Sequence, residues 1–394
     1  MRPKSESTGC APPSNGDPLS PEESTHYSRH LMLPEIGSAG QGRLKTARVL
    51  IIGAGGLGSP AALYLAAAGI GTIGLADFDR VEAHNLQRQI LHRHRDVGRP
   101  KVESARDTLS GLNPRISLPL HPDGITTENA IELVSQYDLV VDGSDNFPTR
   151  YLITDAAHLT NRPLIHGSVY RFEGQVTVFA PSSGGPCYRC LFPHPPEGDA
   201  APNCAEAGVL GALCGLVGSL QAIEAVKTLL GIGRSSIGSL LIIDALNFEF
   251  RTLRITPNPE CPLCSSQPSI TSIPKKTSEE RPEEPKTPLQ DEMDPVEVSR
   301  YLASEPEAVV LDVREPAELA VCRLPGTVDL PMGQIPGSLD SLPRDHSIFV
   351  LCHHGNRSRM VVQFLLQQGY ESVINIRGGI NAWAQTVDPG LARY

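Results

Sequence analysis

Apolar residues follow two periods along this chain. Short runs such as Arg48 to Ile52, Asp138 to Val141 and Ser347 to Leu351 read as buried strands, each bounded by glycine, serine or charged residues. Between them lie stretches with helical spacing, including an alanine-rich segment after Gly58 and an apolar one after Ser358. The first strand, the alanine-rich helix and a second strand ending at Asp77 make one βαβ unit. Ala207 to Ile223 is the most membrane-like stretch, but Gly208, Gly211, Gly215, Gly218, Ser219 and Gln221 interrupt it. A helix buried inside a fold is expected there.

Residues 265–292 carry five prolines among Ser, Thr, Lys and Glu and show neither period, so they read as a flexible linker. It divides an expected domain over 22–264 from another over 293–394, both α/β. Residues 1–21 mix Pro, Ser, Gly and charges without the apolar run of a signal peptide, and a disordered lead-in is expected.

Composition narrows the function. Lys and Arg number 34 against 44 Asp and Glu, a formal charge of −10, which argues against nucleic acid or an anionic membrane as the primary ligand. Nine cysteines are too few for a disulfide scaffold in 394 residues, and two Cys-x-x-Cys pairs fit a metal site in a reducing compartment. A cytoplasmic location is expected.

Gly53, Gly55 and Gly58 satisfy G-x-G-x-x-G between the first strand and its helix, the pattern that brings backbone N–H groups close to phosphate. Asp77 stands about twenty residues on, where a carboxylate can receive ribose hydroxyls. Arg88 and Lys101 could then bring two cations to one phosphate chain, which a dinucleotide-dependent dehydrogenase does not need. Asp142-Gly143-Ser144-Asp145-Asn146 sets carboxylates at a strand end, where magnesium or adenine could be held. Together these features suit a triphosphate.

Arg48 to Asn146 resembles the ThiF/MoeB adenylyltransferases, relatives of ubiquitin-activating enzymes, and the similarity extends over Tyr27 to Cys264. Further matching signatures are Tyr27-Ser28-Arg29-His30, Arg171-Phe172-Glu173-Gly174-Gln175 and the two cysteine pairs; His26 stands where the family usually has arginine. The resemblance implies a Rossmann-like domain of the ubiquitin-activating type. It also implies ATP-dependent adenylation of the C-terminal glycine of a small ubiquitin-like sulfur carrier ending in Gly-Gly, with loss of pyrophosphate. Gly56, Asp77, His84, Asn85, Leu86, Gln87, Arg88, Lys101, Asp145 and Asn146 match the family's ATP-contact positions. On this resemblance Asp145 handles Mg2+, Arg88 and Lys101 neutralise the triphosphate, and Arg29 enters the partner's site in a homodimer. Cys204 matches a position sometimes assigned a thioester or resolving role.

Cys187, Cys190, Cys261 and Cys264 form two pairs with the spacing that grips one tetrahedral ion, and zinc is expected. Four protein ligands leave no open position, so the site is expected to be structural. Cys214, on an apolar stretch, reads as core.

Near the C-terminus, an apolar strand runs into Cys352-His353-His354-Gly355-Asn356-Arg357-Ser358 and then a helix. Backbone N–H groups and the helix dipole favour a thiolate there, with Arg357 as a nearby cation. Four residues separate Cys352 from Arg357, one fewer than in cysteine phosphatases, a ring suited to a single outer sulfur. The loop resembles rhodanese active loops, as do Leu311 to Glu315, Leu324-Pro325-Gly326 and Gly378 to Trp383. A small α/β rhodanese domain is implied, with Cys352 as persulfide nucleophile and Asp312 and Arg314 supporting the fold. Its sulfur would come from a donor such as a cysteine desulfurase or thiosulfate. Joined, the two domains would make a carrier thiocarboxylate for molybdopterin, thiamine, cysteine or tRNA thiolation. The alternatives are a catalytically silent carrier-binding scaffold and an oxidoreductase fused to a phosphatase-like domain.

Overall fold

A computed structural model describes residues 17–195, 208–274 and 291–393. These fall into two compact units, one through residue 274 and one from 291 onward.

The first unit is built on an eight-stranded sheet. Its strands are β1 (Arg48–Ile52), β2 (Thr72–Ala76), β3 (Leu120–His121), β4 (Leu139–Asp142), β5 (Leu164–Tyr170), β6 (Glu173–Phe179), β7 (Ser239–Asp244) and β8 (Glu249–Arg254), in the order β3-β2-β1-β4-β5-β6-β7-β8. Pairs from β3 to β5 are parallel, and those from β5 to β8 are antiparallel. β1, β2 and β4 read almost wholly apolar because helices cover both faces of a parallel sheet. Strand order reverses between β1 and β4, which opens a crevice at their carboxyl ends.

The apolar stretch expected as a buried helix is the helix Gly211–Leu230, longer than the run that marked it. By length and composition alone it could cross a membrane. Here it packs on the helix Gly58–Ala68 and on β5. A Cβ at Gly218 would stand 2.4 Å from the Leu57 carbonyl oxygen, so the small residues permit close helix approach. Gln221, fully buried, donates to the Asp142 and Ile165 carbonyls at 2.7 and 3.2 Å.

Local hydrogen bonds and apolar contacts reach past three of the expected domain bounds. Ser20 caps the helix Pro21–His26 with a reciprocal Glu23 bond, and Lys45 Nζ donates to the Pro18 carbonyl at 3.2 Å, so structure begins ahead of residue 22. Described structure also reaches into both ends of the expected linker. Ile270 N donates to the Pro262 carbonyl at 2.8 Å, Ile273 packs on the core around Tyr151 and Phe179, and Glu292–Met293 is already a strand.

The second unit carries a parallel sheet of β9 (Glu292–Met293), β10 (Val309–Asp312), β11 (Val328–Asp329), β12 (Ile348–Leu351) and β13 (Val373–Ile376), ordered β11-β10-β12-β13-β9. Trp383, in the helix Gly379–Thr386, is buried against Phe349 and Leu351 of β12.

Candidate functional sites

The glycine-rich loop lies over the carboxyl end of β1. A Cβ at Gly58 would sit 1.8 Å from the Gly53 carbonyl oxygen, so only glycine lets the helix start directly on the loop. Two buried side chains pin the loop from below. Asp77 Oδ2 accepts from Ala54 N at 2.8 Å, and His92 Nε2 bonds the Ala54 carbonyl at 2.9 Å. Burial pushes the Asp77 carboxyl up, against the pull of Lys101 and two backbone N–H groups. It pushes the His92 imidazole down, leaving it neutral to donate from Nε2 and accept from Ser104 Oγ at Nδ1.

Of the expected ATP contacts, Gly56, Asp77, Arg88, Lys101, Asp145 and Asn146 line one cavity at this switch point. Lys101 Nζ lies 2.7 Å from Asp79 Oδ2 and 4.0 Å from Asp77 Oδ2, and Arg88 Nη2 donates to Asn85 Oδ1 at 2.8 Å. Asp145 is exposed at the rim, and Asn146 caps the helix Phe147–Leu159 by accepting from Thr149 N at 2.9 Å. His84, Asn85, Leu86 and Gln87 stand outside the cavity wall; Asn85 is buried and orients Arg88. Arg29 is exposed on the short helix Ser28–Leu31, away from that wall. Cys204 lies outside the described residues.

Several wall residues escaped the sequence reading: Phe78, Gln89, Ile125, Arg150 and Cys214, which is core but also faces the cavity. Beneath them sits a buried network. Fully buried Asp142 accepts from His166 Nδ1 at 2.8 Å, from Ser144 N at 2.9 Å and from Ser144 Oγ at 2.6 Å, with Arg150 Nε at 3.8 Å. Burial pushes the Asp142 carboxyl up, but the bond from His166, the nearby Arg150 and Ser144 outweigh it and hold the group below its usual range. Burial pushes His166 down, so a neutral imidazole donates to a charged carboxylate. The network shapes the turn that carries Asp145.

Cys187, Cys190, Cys261 and Cys264 converge, their sulfurs all within 4.8 Å of one another. Four of the six separations run from 3.3 to 3.8 Å, at or somewhat inside the edge of about 3.8 Å of a tetrahedron with zinc–sulfur bonds of about 2.3 Å, so the residues fit such an ion. Arg189 anchors this segment through two bonds to Asp155, at 2.6 and 2.8 Å. The adjacent Tyr188 ring lies 5.3 Å from that of His166, linking the cysteine cluster to the cavity floor.

In the second unit, Cys352 follows β12 and is fully buried. Its Sγ accepts from Gly355 N at 3.1 Å and Ser358 Oγ at 3.2 Å at the start of the helix Asn356–Gln367, a cradle of donors facing one sulfur. Arg357 is not an uncompensated cation beside it, because Nη1 and Nη2 donate to Glu318 at 2.7 and 2.6 Å. Arg314 and Asp312, both fully buried, form a second such pair, with Nε and Nη2 donating at 2.9 and 2.7 Å. Burial and neighbouring His354 push the buried His353 imidazole down to about 4. Glu318 did not stand out in sequence, and Ser358 only as the end of the loop motif, since each acts only through the folded loop.

Residues 27–263 match the ThiF family, and residues 294–386 match the rhodanese-like domain. The chain is 42% identical over 381 residues to the probable adenylyltransferase/sulfurtransferase MoeZ of Mycobacterium tuberculosis (strain CDC 1551 / Oshkosh), covering 95% of this chain and 96% of that one. It is 40% identical over 407 residues to the adenylyltransferase and sulfurtransferase MOCS3 of Drosophila grimshawi, covering 98% and 90%. The crystal structure of E. coli MccB with ATP superposes at a TM-score of 0.53 with 25% identity, over 61% of this chain and 74% of that one. The chain belongs to the ThiF family and, with the rhodanese-like domain that follows, is an enzyme of the adenylyltransferase and sulfurtransferase type.

Proposed function

We propose that the first unit activates the C-terminal glycine carboxylate of a small ubiquitin-like carrier with ATP, and that the second supplies the sulfur that replaces AMP. The observation that carries this reading is the pairing, on one chain, of a cation-lined cavity at a sheet switch point with a cysteine held in a sulfur-sized cradle. Attack of the carboxylate on the α-phosphate gives acyl-AMP and pyrophosphate. Arg88 and Lys101 neutralise the charge that develops on the departing pyrophosphate, and the glycine-rich loop receives phosphate oxygens on its N–H groups. Gly56, Asp77 and Asn146 border the nucleotide, while Asn85 within the His84 to Gln87 stretch positions Arg88. Mg2+, held at Asp145, would draw charge from the triphosphate. Arg29, exposed on its short helix, is free to enter a partner's site in a homodimer.

Cys352 then carries the outgoing sulfur as a persulfide, which displaces AMP from the carrier. Reduction of the resulting acyl disulfide by a second thiol, for which Cys204 is the candidate, releases the thiocarboxylate. Zinc held by the four cysteines would tie the segment after the nucleotide fold to that unit's end, a structural role in a cytoplasmic enzyme.

The test is ATP–pyrophosphate exchange with purified protein and a panel of carriers ending in Gly-Gly, followed by intact mass of each carrier. Cys352→Ala is expected to keep exchange and lose the sulfur-for-oxygen mass gain. Loss of both activities would overturn the division of labour.

A further inference from the structure

The charges around Cys352 cancel. Arg357 and Glu318 form a two-point ion pair whose side chains are only 15% and 10% exposed, so solvent screens it little. Arg314 and Asp312 cancel behind the loop at zero exposure. His353, buried and shifted down to about 4, is neutral near pH 7. His354, exposed at the loop's surface, is the remaining titratable group within the loop. What faces the sulfur is therefore two dipolar donors, Gly355 N and Ser358 Oγ.

We propose that Glu318, by neutralising Arg357, sets the loop's choice of donor: sulfane sulfur from a persulfide, R–S–SH, in preference to a dianion such as thiosulfate. This rests on the reading of Cys352 as the sulfur carrier. The Cys352 thiolate attacks the outer sulfur of R–S–SH, the donor S–S bond breaks with its electron pair leaving on R–S⁻, and the outer sulfur keeps its proton in Cys352–S–SH. No electrons are gained or lost overall. With thiosulfate the same attack expels sulfite, and its two negative charges require an uncompensated cation at the loop. Arg357 is the guanidinium within the loop, and Glu318 occupies two of its donors. Glu318 is itself held in place, because Oε2 also accepts from Glu315 N at 3.0 Å in the cap of the helix Pro316–Val321. Glu318 is thus a positioning residue that builds specificity by withholding a cation from the wrong donor.

The experiment uses the full chain as wild type, Glu318→Gln, Glu318→Asp and Cys352→Ala. Glutathione persulfide and thiosulfate are compared as donors, with transfer to cyanide and sulfur gain at Cys352 by intact mass as readouts. Glutamine keeps the length and the cap acceptor but not the charge. Wild type is expected to favour the persulfide in kcat/KM by about tenfold or more, and Glu318→Gln to lower KM for thiosulfate by about tenfold while persulfide kcat/KM stays within about threefold. Glu318→Asp keeps the charge and the wild-type preference. A wild-type ratio near one overturns the proposal whether or not the variants fold, as does an equal change toward both donors in Glu318→Gln. Transfer by Cys352→Ala would instead sink the underlying reading of Cys352.

Discussion

Removing the Asp142 carboxylate separates a local electrostatic network from the rest of the molecule. In Asp142→Ala, His166 Nδ1 and Ser144 N lose their acceptor at a site with no solvent access, while the Ser144 hydroxyl is free to rotate toward another. Two stranded donors cost about 1–3 kcal/mol each. Arg150 loses its nearby counter-charge but keeps the Ser144 carbonyl at 3.2 Å, so its added cost is small. The sum is about 2–6 kcal/mol. At about 2–4 °C per kcal/mol for a unit of this size, the first unit should melt roughly 4–24 °C lower. Asp142→Asn, which restores one acceptor, should lose less. The assay exploits Trp383, the single tryptophan, buried in the second unit. Its fluorescence reports that unit, while far-ultraviolet circular dichroism reports both. A lowered first transition with an unchanged Trp383 transition is expected. A first transition within about 2 °C of wild type would refute the reasoning, as would an equal fall in both.

Two further outcomes follow from buried groups of the first unit. Purified protein should carry one zinc per chain by elemental analysis, and stripping it or replacing Cys190 with Ser should lower the first unit's melting temperature while the Trp383 transition stays put; full stability without metal would refute the site. His92 and His166 are both pushed down by burial, so the unfolded chain takes up their protons first as pH falls below about 6.5. Folded-state stability is then present above that value and lost below it, by about 1.4 kcal/mol per pH unit for each. Urea unfolding at about pH 7.5 and about pH 5.5 should show the first unit weakened at the lower pH, and equal or greater stability there would contradict the assignment.

What could be read from sequence was whatever short-range pattern encodes. Continuous apolar runs located β1, β4, β12 and the buried helix, because burial is written within a few neighbouring residues. The Gly53–Gly58 motif, the paired cysteines and the Cys352 loop were legible for the same reason, as each is a local arrangement of backbone donors or ligands. The antiparallel half of the first sheet was not. β6, β7 and β8 follow a turn at Arg171, where a non-glycine residue adopts φ 54, and no run of turn residues announces it.

The sequence by itself determined the two α/β units, the glycine-rich loop, the four metal-ligand candidates and the candidate sulfur nucleophile. Only the tertiary structure decided which charges act. It joined Glu318 to Arg357 across 39 positions and turned an apparent cation into a neutral pair. It set His166 on Asp142 across 24 positions, and His92 on the Ala54 carbonyl across 38. The net charge at a site depends on distances of a few ångströms between side chains far apart in the chain, and those distances exist only after folding.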